Sequence, residues 1–320
     1  LRIVVLDGYT ANPGDISWSA IEALGDLSVY PQTTRERIIE RACGAEVLIT
    51  NKVCLDAQTL ASLDSLNFIS VLATGYDVVD VAAARAQGIS VSNVPEYSTQ
   101  SVAQHVFTGL LALLNRPEQH HQSIIDGAWG RAGQFSFWNL TLSELAGKKM
   151  GIVGLGKIGL EVAKLANAFS MKVIATGRNM SCQRPAASFE IQWRELETLF
   201  SEADIVSLHC PATPATKKMI NQSLISKMKP NSILINTARG ALIDEFDLAE
   251  ALNEGRLAGA FLDVVSVEPI DPANPLLHAK NCLLTPHIGW ATLESRRRLI
   301  QTTADNVEAY LRGNLINVVN

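Results

Sequence analysis

Positive charge is scarce in this chain. Its 320 residues carry 27 Lys and Arg against 32 Asp and Glu, a net charge of −5. No basic surface is on offer to nucleic acid. The one basic cluster, Arg296-Arg297-Arg298, reads as a solvated helix face. Cysteine is scarce too. The five residues Cys43, Cys54, Cys182, Cys210 and Cys282 show neither paired metal spacing nor a dense disulfide framework. That usage suits a reducing cytoplasm. His120 and His121 are adjacent and loop-like, and no His or Cys cluster has zinc spacing, so no metal is expected. Long hydrophobic runs are missing. The longest in a helical stretch, residues 110–114, is far too short for a membrane span. Residues 2–6 run straight into a strand pattern, so no signal peptide is expected. Internal repeats and low-complexity segments are also absent.

What is present is an alternation of short apolar runs with helical stretches. Hydrophobic residues make up 47% of the chain and charged residues 18%, ordinary for a globular enzyme, and the length suits two domains. Residues 3–6, 47–50, 68–73 and 89–92 read as buried strands, with helices such as 34–43 and 79–87 between them. A second series of strands follows at 150–153, 172–175, 205–208, 232–236, 260–264 and 282–284. Such alternation predicts an α/β protein with two doubly wound parallel sheets. Between the series, residues 99–115 form a helix apolar on nearly every face, as expected in a core or between subunits. Residues 116–145 read as a long irregular segment rich in aromatics (Trp129, Phe135, Phe137, Trp138), functional or interfacial. The tail, residues 293–311, has helical spacing and no strand after it. It is expected to return to the first domain and make that domain discontinuous.

Gly154-Leu155-Gly156-Lys157-Ile158-Gly159 follows a strand and opens a helix. In that setting the first glycine makes a tight turn and the second lets a pyrophosphate approach the backbone. The third packs helix on strand, and the phosphates sit at the helix N-terminus. A dinucleotide is therefore expected. About twenty residues on, an NAD site carries an acid for the adenosine ribose. This chain reads Thr176-Gly177-Arg178-Asn179 there. An Arg can pair with a 2′-phosphate that a carboxylate would repel. NADP(H) is favoured, with NAD(H) left possible if Arg178 only stacks on the adenine.

Three later segments say what the dinucleotide is for. Arg239 ends one apolar run, Glu268 lies before Pro269, and His287 lies in Pro286-His287-Ile288-Gly289. A carboxylate partner would hold the His protonated and fix its ring. It could then protonate a carbonyl oxygen as hydride reaches the carbon. The Arg fork matches a substrate carboxylate and can polarise the neighbouring ketone. His209 is expected to line the cofactor cleft and His105 to be structural.

With Ser207-Leu208-His209-Cys210-Pro211, Asn236-Thr237-Ala238-Arg239-Gly240 and Leu262-Asp263-Val264 added, the chain resembles the D-isomer-specific 2-hydroxyacid dehydrogenases over nearly its whole length. Within them it is most similar to the glycerate dehydrogenase and glyoxylate/hydroxypyruvate reductase group. The resemblance implies a flavodoxin-like substrate domain, 1–97 plus 290–320, and a Rossmann coenzyme domain, 98–289, with a cleft between. It implies Arg239, Glu268 and His287 as the catalytic set. It places Val102, Gly154, Gly156, Lys157, Ile158, Gly159, Arg178, His209, Pro211, Thr216, Thr237, Ala238, Arg239, Asp263, His287 and Gly289 at the cofactor. Ala73, Thr74, Gly75, Arg239, His287 and Trp290 fall at the substrate, with Trp138 reaching in from a neighbouring subunit. A homodimer through the coenzyme domains is implied as well. Two further departures from the family pattern are Gln104, where Glu is usual, and Trp290, where many members carry Ser. A Trp there should narrow the pocket toward glyoxylate and hydroxypyruvate. A phosphoglycerate or lactate dehydrogenase, or a dinucleotide-sensing corepressor-like protein, is the alternative.

Overall fold

The computed structural model describes residues 1–177 and 187–320. It divides into two compact units, Leu1–Ser98 with Ala291–Asn320, and Thr99–Trp290. Each is an α/β layer structure built on a wholly parallel sheet.

The first sheet has five strands: β1 (Arg2–Val5), β2 (Asp26–Val29), β3 (Val47–Thr50), β4 (Phe68–Val71) and β5 (Ser90–Ser92). Their order, β2-β1-β3-β4-β5, is the flavodoxin-like one. β3 and β4 are buried along their whole length, as continuous apolar runs covered on both faces must be. The helix Leu293–Leu311 belongs to this unit. Thr292 caps it by accepting from the Ser295 N–H, and Tyr310 stacks on Phe68 of β4 with ring centroids 4.8 Å apart.

The second sheet has seven strands: β6 (Lys149–Val153), β7 (Lys172–Thr176), β8 (Ile191–Trp193), β9 (Ile205–Leu208), β10 (Ile233–Asn236), β11 (Gly259–Leu262) and β12 (Cys282–Leu284). The order β12-β11-β10-β9-β6-β7-β8 reverses direction at β6, the doubly wound arrangement. Alternate residues of one strand feed two cores. Leu234 of β10 shares a core with Val206, Leu248 and Ala260, while Ile233 and Ile235 share the other with Val106, Leu110 and Ile152. The helix Thr99–Asn115 lies against β11. Gly109 makes that possible, because a Cβ there would sit 2.1 Å from Phe261.

Several elements differ from what the sequence predicts. β2 and β8 are short edge strands with half-exposed residues, so no buried apolar run marks them. The second sheet thus has seven strands where six runs were legible. The segment after Asn115 is not irregular throughout. It holds helices Pro117–Ile125 and Ala128–Ala132, neither with a buried residue and hence neither with an apolar stripe. Residues 34–43 form a 3₁₀ turn and a short helix. The basic run is a solvated face only in part: Arg297 and Arg298 are exposed, but Arg296 is not. Arg296 is 8% exposed and forks onto Asp15 with two 2.6 Å bonds, and the Arg298 Nε donates to the Tyr97 carbonyl.

Candidate active site

Because every strand of the second sheet is parallel, the loops after β6, β9, β10, β11 and β12 leave from the same edge, where open α/β sheets bind ligands. The glycine loop follows β6. Gly154 has φ +95°, and a Cβ there would lie 2.8 Å from the backbone of His209 and Cys210. Gly156 is the N-cap of the helix Lys157–Ala168, and nothing lies within 4 Å of its added Cβ. At Gly159 a Cβ would meet the Gly154 carbonyl oxygen at 2.3 Å. The three positions therefore turn the chain, leave room, and close helix on strand. The first N–H groups of any helix lack partners within it, so open space at Gly156 beside this helix start fits a pyrophosphate. Lys157 and Ile158 occupy the first turn. Arg178 lies outside the described residues.

After β9, the His209 ring is half-buried, with its Nε2 2.8 Å from the Ser207 hydroxyl. Burial pushes its pKa down to about 4, so the ring is neutral near pH 7. Thr216 donates its hydroxyl to the Pro211 carbonyl at 2.8 Å and folds that loop on itself. After β10, the Asn236 side chain accepts from the Ala238 N–H and donates to the Arg239 carbonyl, bending the chain at the strand end. Thr237 holds a buried hydroxyl with no hydrogen-bond partner among the described residues. An unmet buried polar group costs about 1–3 kcal/mol, which suits a site that a ligand completes. Arg239 is exposed, and one of its terminal nitrogens donates to the Ala238 carbonyl at 2.8 Å.

The loops after β11 and β12 meet. His287 Nδ1 lies 2.7 Å from Glu268 Oε2, and both side chains are only partly exposed, 27% and 37%. His287 has φ +55°, a left-handed conformation uncommon outside glycine. What holds it there is Asp263, at 2% exposure. Its backbone carbonyl accepts the His287 N–H at 2.8 Å. Its carboxylate accepts the Ile288 and Gly289 N–H groups, each at 2.8 Å, and the Thr285 hydroxyl at 2.6 Å. His105 Nε2 stands 3.2 Å from the same carboxylate. Burial works against the charged form of Asp263. The hydrogen bonds from His105, Thr285, Gly289 and Ile288 outweigh it and hold the carboxyl below its usual range. Gly289 is required, since a Cβ there would lie 2.9 Å from Asp263 Oδ2. Val102 is buried on the helix Thr99–Asn115, whose Ser101 hydroxyl donates to the Gly289 carbonyl at 2.5 Å. Trp290 is half-buried, and Trp138 is 64% exposed.

In the other unit, Ala73-Thr74-Gly75 follows β4. Thr74 donates its hydroxyl to the Val94 carbonyl, and its own carbonyl accepts from the Asn93 side chain. Sequence reasoning missed the anchoring residues. Asp7 takes the Asn51, Lys52 and Val53 N–H groups, and Asp263 was expected at the cofactor rather than as the brace of the His287 loop. A carboxylate that collects backbone N–H groups leaves no spacing signature. Among the described residues no group of three His, Cys, Asp or Glu could hold a metal, and no helix is long and apolar enough to cross a membrane.

A family model described as D-isomer specific 2-hydroxyacid dehydrogenase, NAD binding domain, matches residues 107–289. The chain belongs to the D-isomer-specific 2-hydroxyacid dehydrogenases. It is 44% identical to a hydroxypyruvate reductase of Blautia hydrogenotrophica over 324 aligned positions covering 100% of both chains. It is 41% identical to a glycerate dehydrogenase of Methylorubrum extorquens over 292 positions, 89% of each. Among solved structures it resembles an acyclic imino acid reductase in complex with NADPH and D-Arg, at TM-score 0.86 and 32% identity with full coverage of both chains. This dehydrogenase is therefore an oxidoreductase that moves a hydride between a nicotinamide cofactor and C2 of a small 2-keto or 2-hydroxy acid.

Proposed function

We propose that the protein reduces hydroxypyruvate and glyoxylate to D-glycerate and glycolate, with Arg239, Glu268 and His287 as its catalytic residues. The observation that carries the reading is the 2.7 Å contact between Glu268 and His287 at the sheet edge that also carries the glycine loop. The names of the 44% and 41% identical relatives support the substrate class. Thr99–Trp290 acts as the coenzyme domain, and Leu1–Ser98 with Ala291–Asn320 as the substrate domain.

A bound nicotinamide dinucleotide supplies the hydride. Glu268 accepts the Nδ1 hydrogen of His287, which fixes the ring orientation and leaves Nε2 to face the substrate. His287 Nε2 gives its proton to the carbonyl oxygen as the C2–H bond forms. Arg239 pairs with the substrate carboxylate and polarises the ketone. The backbone N–H groups of Ala73, Thr74 and Gly75 are the donors that the substrate domain offers to a carboxylate, and Trp290 limits the C3 substituent. Pyrophosphate binds at Gly154 to Gly159, with Val102, His209, Pro211, Thr216, Thr237, Ala238, Asp263 and Gly289 around the rest of the cofactor. NADP(H) is preferred over NAD(H), on the grounds that Arg178 stands where an acid would bind the ribose. The enzyme works in the cytoplasm as a homodimer through its coenzyme domains. The exposed apolar side chains Ile125, Phe135 and Trp138 support an interface there.

An activity panel tests this reading: glyoxylate, hydroxypyruvate, pyruvate and 3-phosphohydroxypyruvate, each with NADPH and NADH. Hydroxypyruvate or glyoxylate with NADPH should give the highest kcat/KM, and His287→Ala should remove most turnover. A higher kcat/KM with NADH would reject the cofactor preference. An active His287→Ala variant would reject the proton donor.

A further inference from the structure

The catalytic reading leaves one carboxylate of this edge without a task. Glu245 opens the helix Glu245–Asn253, directly after its N-cap Asp244, which already accepts from the Phe246 and Asp247 N–H groups. The helix start is thus capped without Glu245, and Glu245 bonds away from it. One carboxylate oxygen accepts the Ser266 N–H at 2.7 Å. The other accepts the Ser266 hydroxyl at 2.7 Å and an amide hydrogen of Asn274 at 2.9 Å. Ser266 lies two residues before Glu268. Its neighbour Val265 donates its N–H to Glu268 Oε1 at 3.3 Å, while Glu268 Oε2 takes His287. The same backbone lies close against Gly240, where a Cβ would fall 1.9 Å from the Val265 carbonyl carbon and 2.4 Å from the Ser266 nitrogen.

We infer that Glu245 is a positioning residue for the proton-donating pair, an inference that rests on the function proposed above. By gripping Ser266 at two atoms it presses the Val265–Ser266 backbone onto Gly240, next to Arg239. It thereby fixes where the Glu268 carboxylate stands relative to both Arg239 and His287. Residues 266–269 are exposed and have little packing of their own. Charge-assisted hydrogen bonds are the means left to hold such a loop within the tolerance that proton transfer needs. Glu245 itself touches neither Glu268 nor His287 through any of these bonds. Its effect passes through Ser266.

The test compares Glu245→Ala, Glu245→Gln and Ser266→Ala with the wild type and His287→Ala in the full chain. The readouts are kcat, KM for hydroxypyruvate, the NADPH dissociation constant by fluorescence, and Tm. Glu245→Ala should lower kcat on the order of tenfold, the scale of a displaced catalytic group, with NADPH affinity within about twofold of wild type. Glu245→Gln should recover part of that loss, because its amide can still accept the Ser266 N–H and donate to the Ser266 hydroxyl, while it loses the charge and the bond from Asn274. Ser266→Ala should fall between them. Wild-type kcat in Glu245→Ala, or a Gln variant as slow as the Ala variant, overturns the inference. If Glu245→Ala does not fold, wild-type kcat in Ser266→Ala overturns it instead. A wild type without turnover, or an active His287→Ala, strikes the functional reading. A normal Glu245→Ala beside a dead His287→Ala strikes only the role of Glu245.

Discussion

At the scale of single residues, the three glycines of the loop after β6 should respond differently to one methyl group. Gly156 has φ −79° and empty space where a Cβ would go, so Gly156→Ala should fold with stability within about 1 kcal/mol of wild type. Its cost should appear in dinucleotide affinity, because the methyl occupies the approach of the pyrophosphate. At Gly159 the methyl has no room, so Gly159→Ala should lose about 1–3 kcal/mol even without cofactor. Denaturant unfolding and cofactor titration of both variants separate the two effects; equal losses of stability would refute the assignment. Cysteines offer a second contrast. Cys43 and Cys54 are exposed, whereas burial raises the Cys282 thiol to about 12. A thiol-specific reagent at pH 8, followed by peptide mapping, should label Cys43 and Cys54 in the folded protein and Cys282 only after unfolding. Rapid labelling of Cys282 would contradict the raised pKa that its partial burial on β12 gives it.

At the scale of elements, the helix Leu293–Leu311 does more than cover β4. Its fully buried Asn306 donates to the Asn93 carbonyl at 2.9 Å and accepts from the Asn317 side chain at 2.8 Å. Asn93 in turn donates to the Thr74 carbonyl at 2.7 Å. A chain of amides thus runs from the last helix to the loop proposed to hold the substrate carboxylate. Asn306→Ala leaves two of these groups unpaired and should cost about 1–3 kcal/mol. Steady-state kinetics should show a raised KM for the keto acid with unchanged cofactor affinity. An unchanged KM would confine Asn306 to stability. The apolar spacing of Ile300, Ala304, Val307 and Leu311 made this helix legible, but Asn306 was not, since an Asn in a helix usually faces water. The same reasoning covers the other differences. Central strands such as β3 and β9 announce themselves by unbroken apolar runs, and edge strands β2 and β8 do not. The glycine loop and the loops bearing Arg239, Glu268 and His287 were legible because Gly and Pro punctuate them at strand ends. Asp7 and Glu245 were not, nor was the bracing by Asp263, because holding a loop from a distance leaves no trace in local spacing.

At the scale of the whole molecule, the acid limb of stability should fall in two stages, and His209 should account for the first. Its folded pKa is about 4, against roughly 6.5 for an unperturbed imidazole. Between those values the unfolded chain binds a proton that the folded chain refuses. Stability therefore rises with pH across that window and is lost as pH falls from about 6.5 toward 4. The full shift corresponds to at most roughly 3–4 kcal/mol, and less where water reaches the half-buried ring. The carboxylates act later. Asp15, gripped by Arg296, and Asp263, whose burial is outweighed by its hydrogen bonds, are both held below the usual carboxyl range. Their stabilisation is present above the unfolded value near 4 and disappears only as pH drops through their lower folded values. Replacing His209 by Gln removes the titrating ring while keeping a partner for the Ser207 hydroxyl. Unfolding free energies of the cofactor-free protein, measured from pH 7 to pH 4.5, should decline for the wild type and stay nearly flat for His209→Gln. Below about pH 4, where the carboxylates titrate, both should fall together. Parallel curves across the upper window would show that His209 takes up its proton without unfolding, and the neutral imidazole beside Ser207 would have to be abandoned.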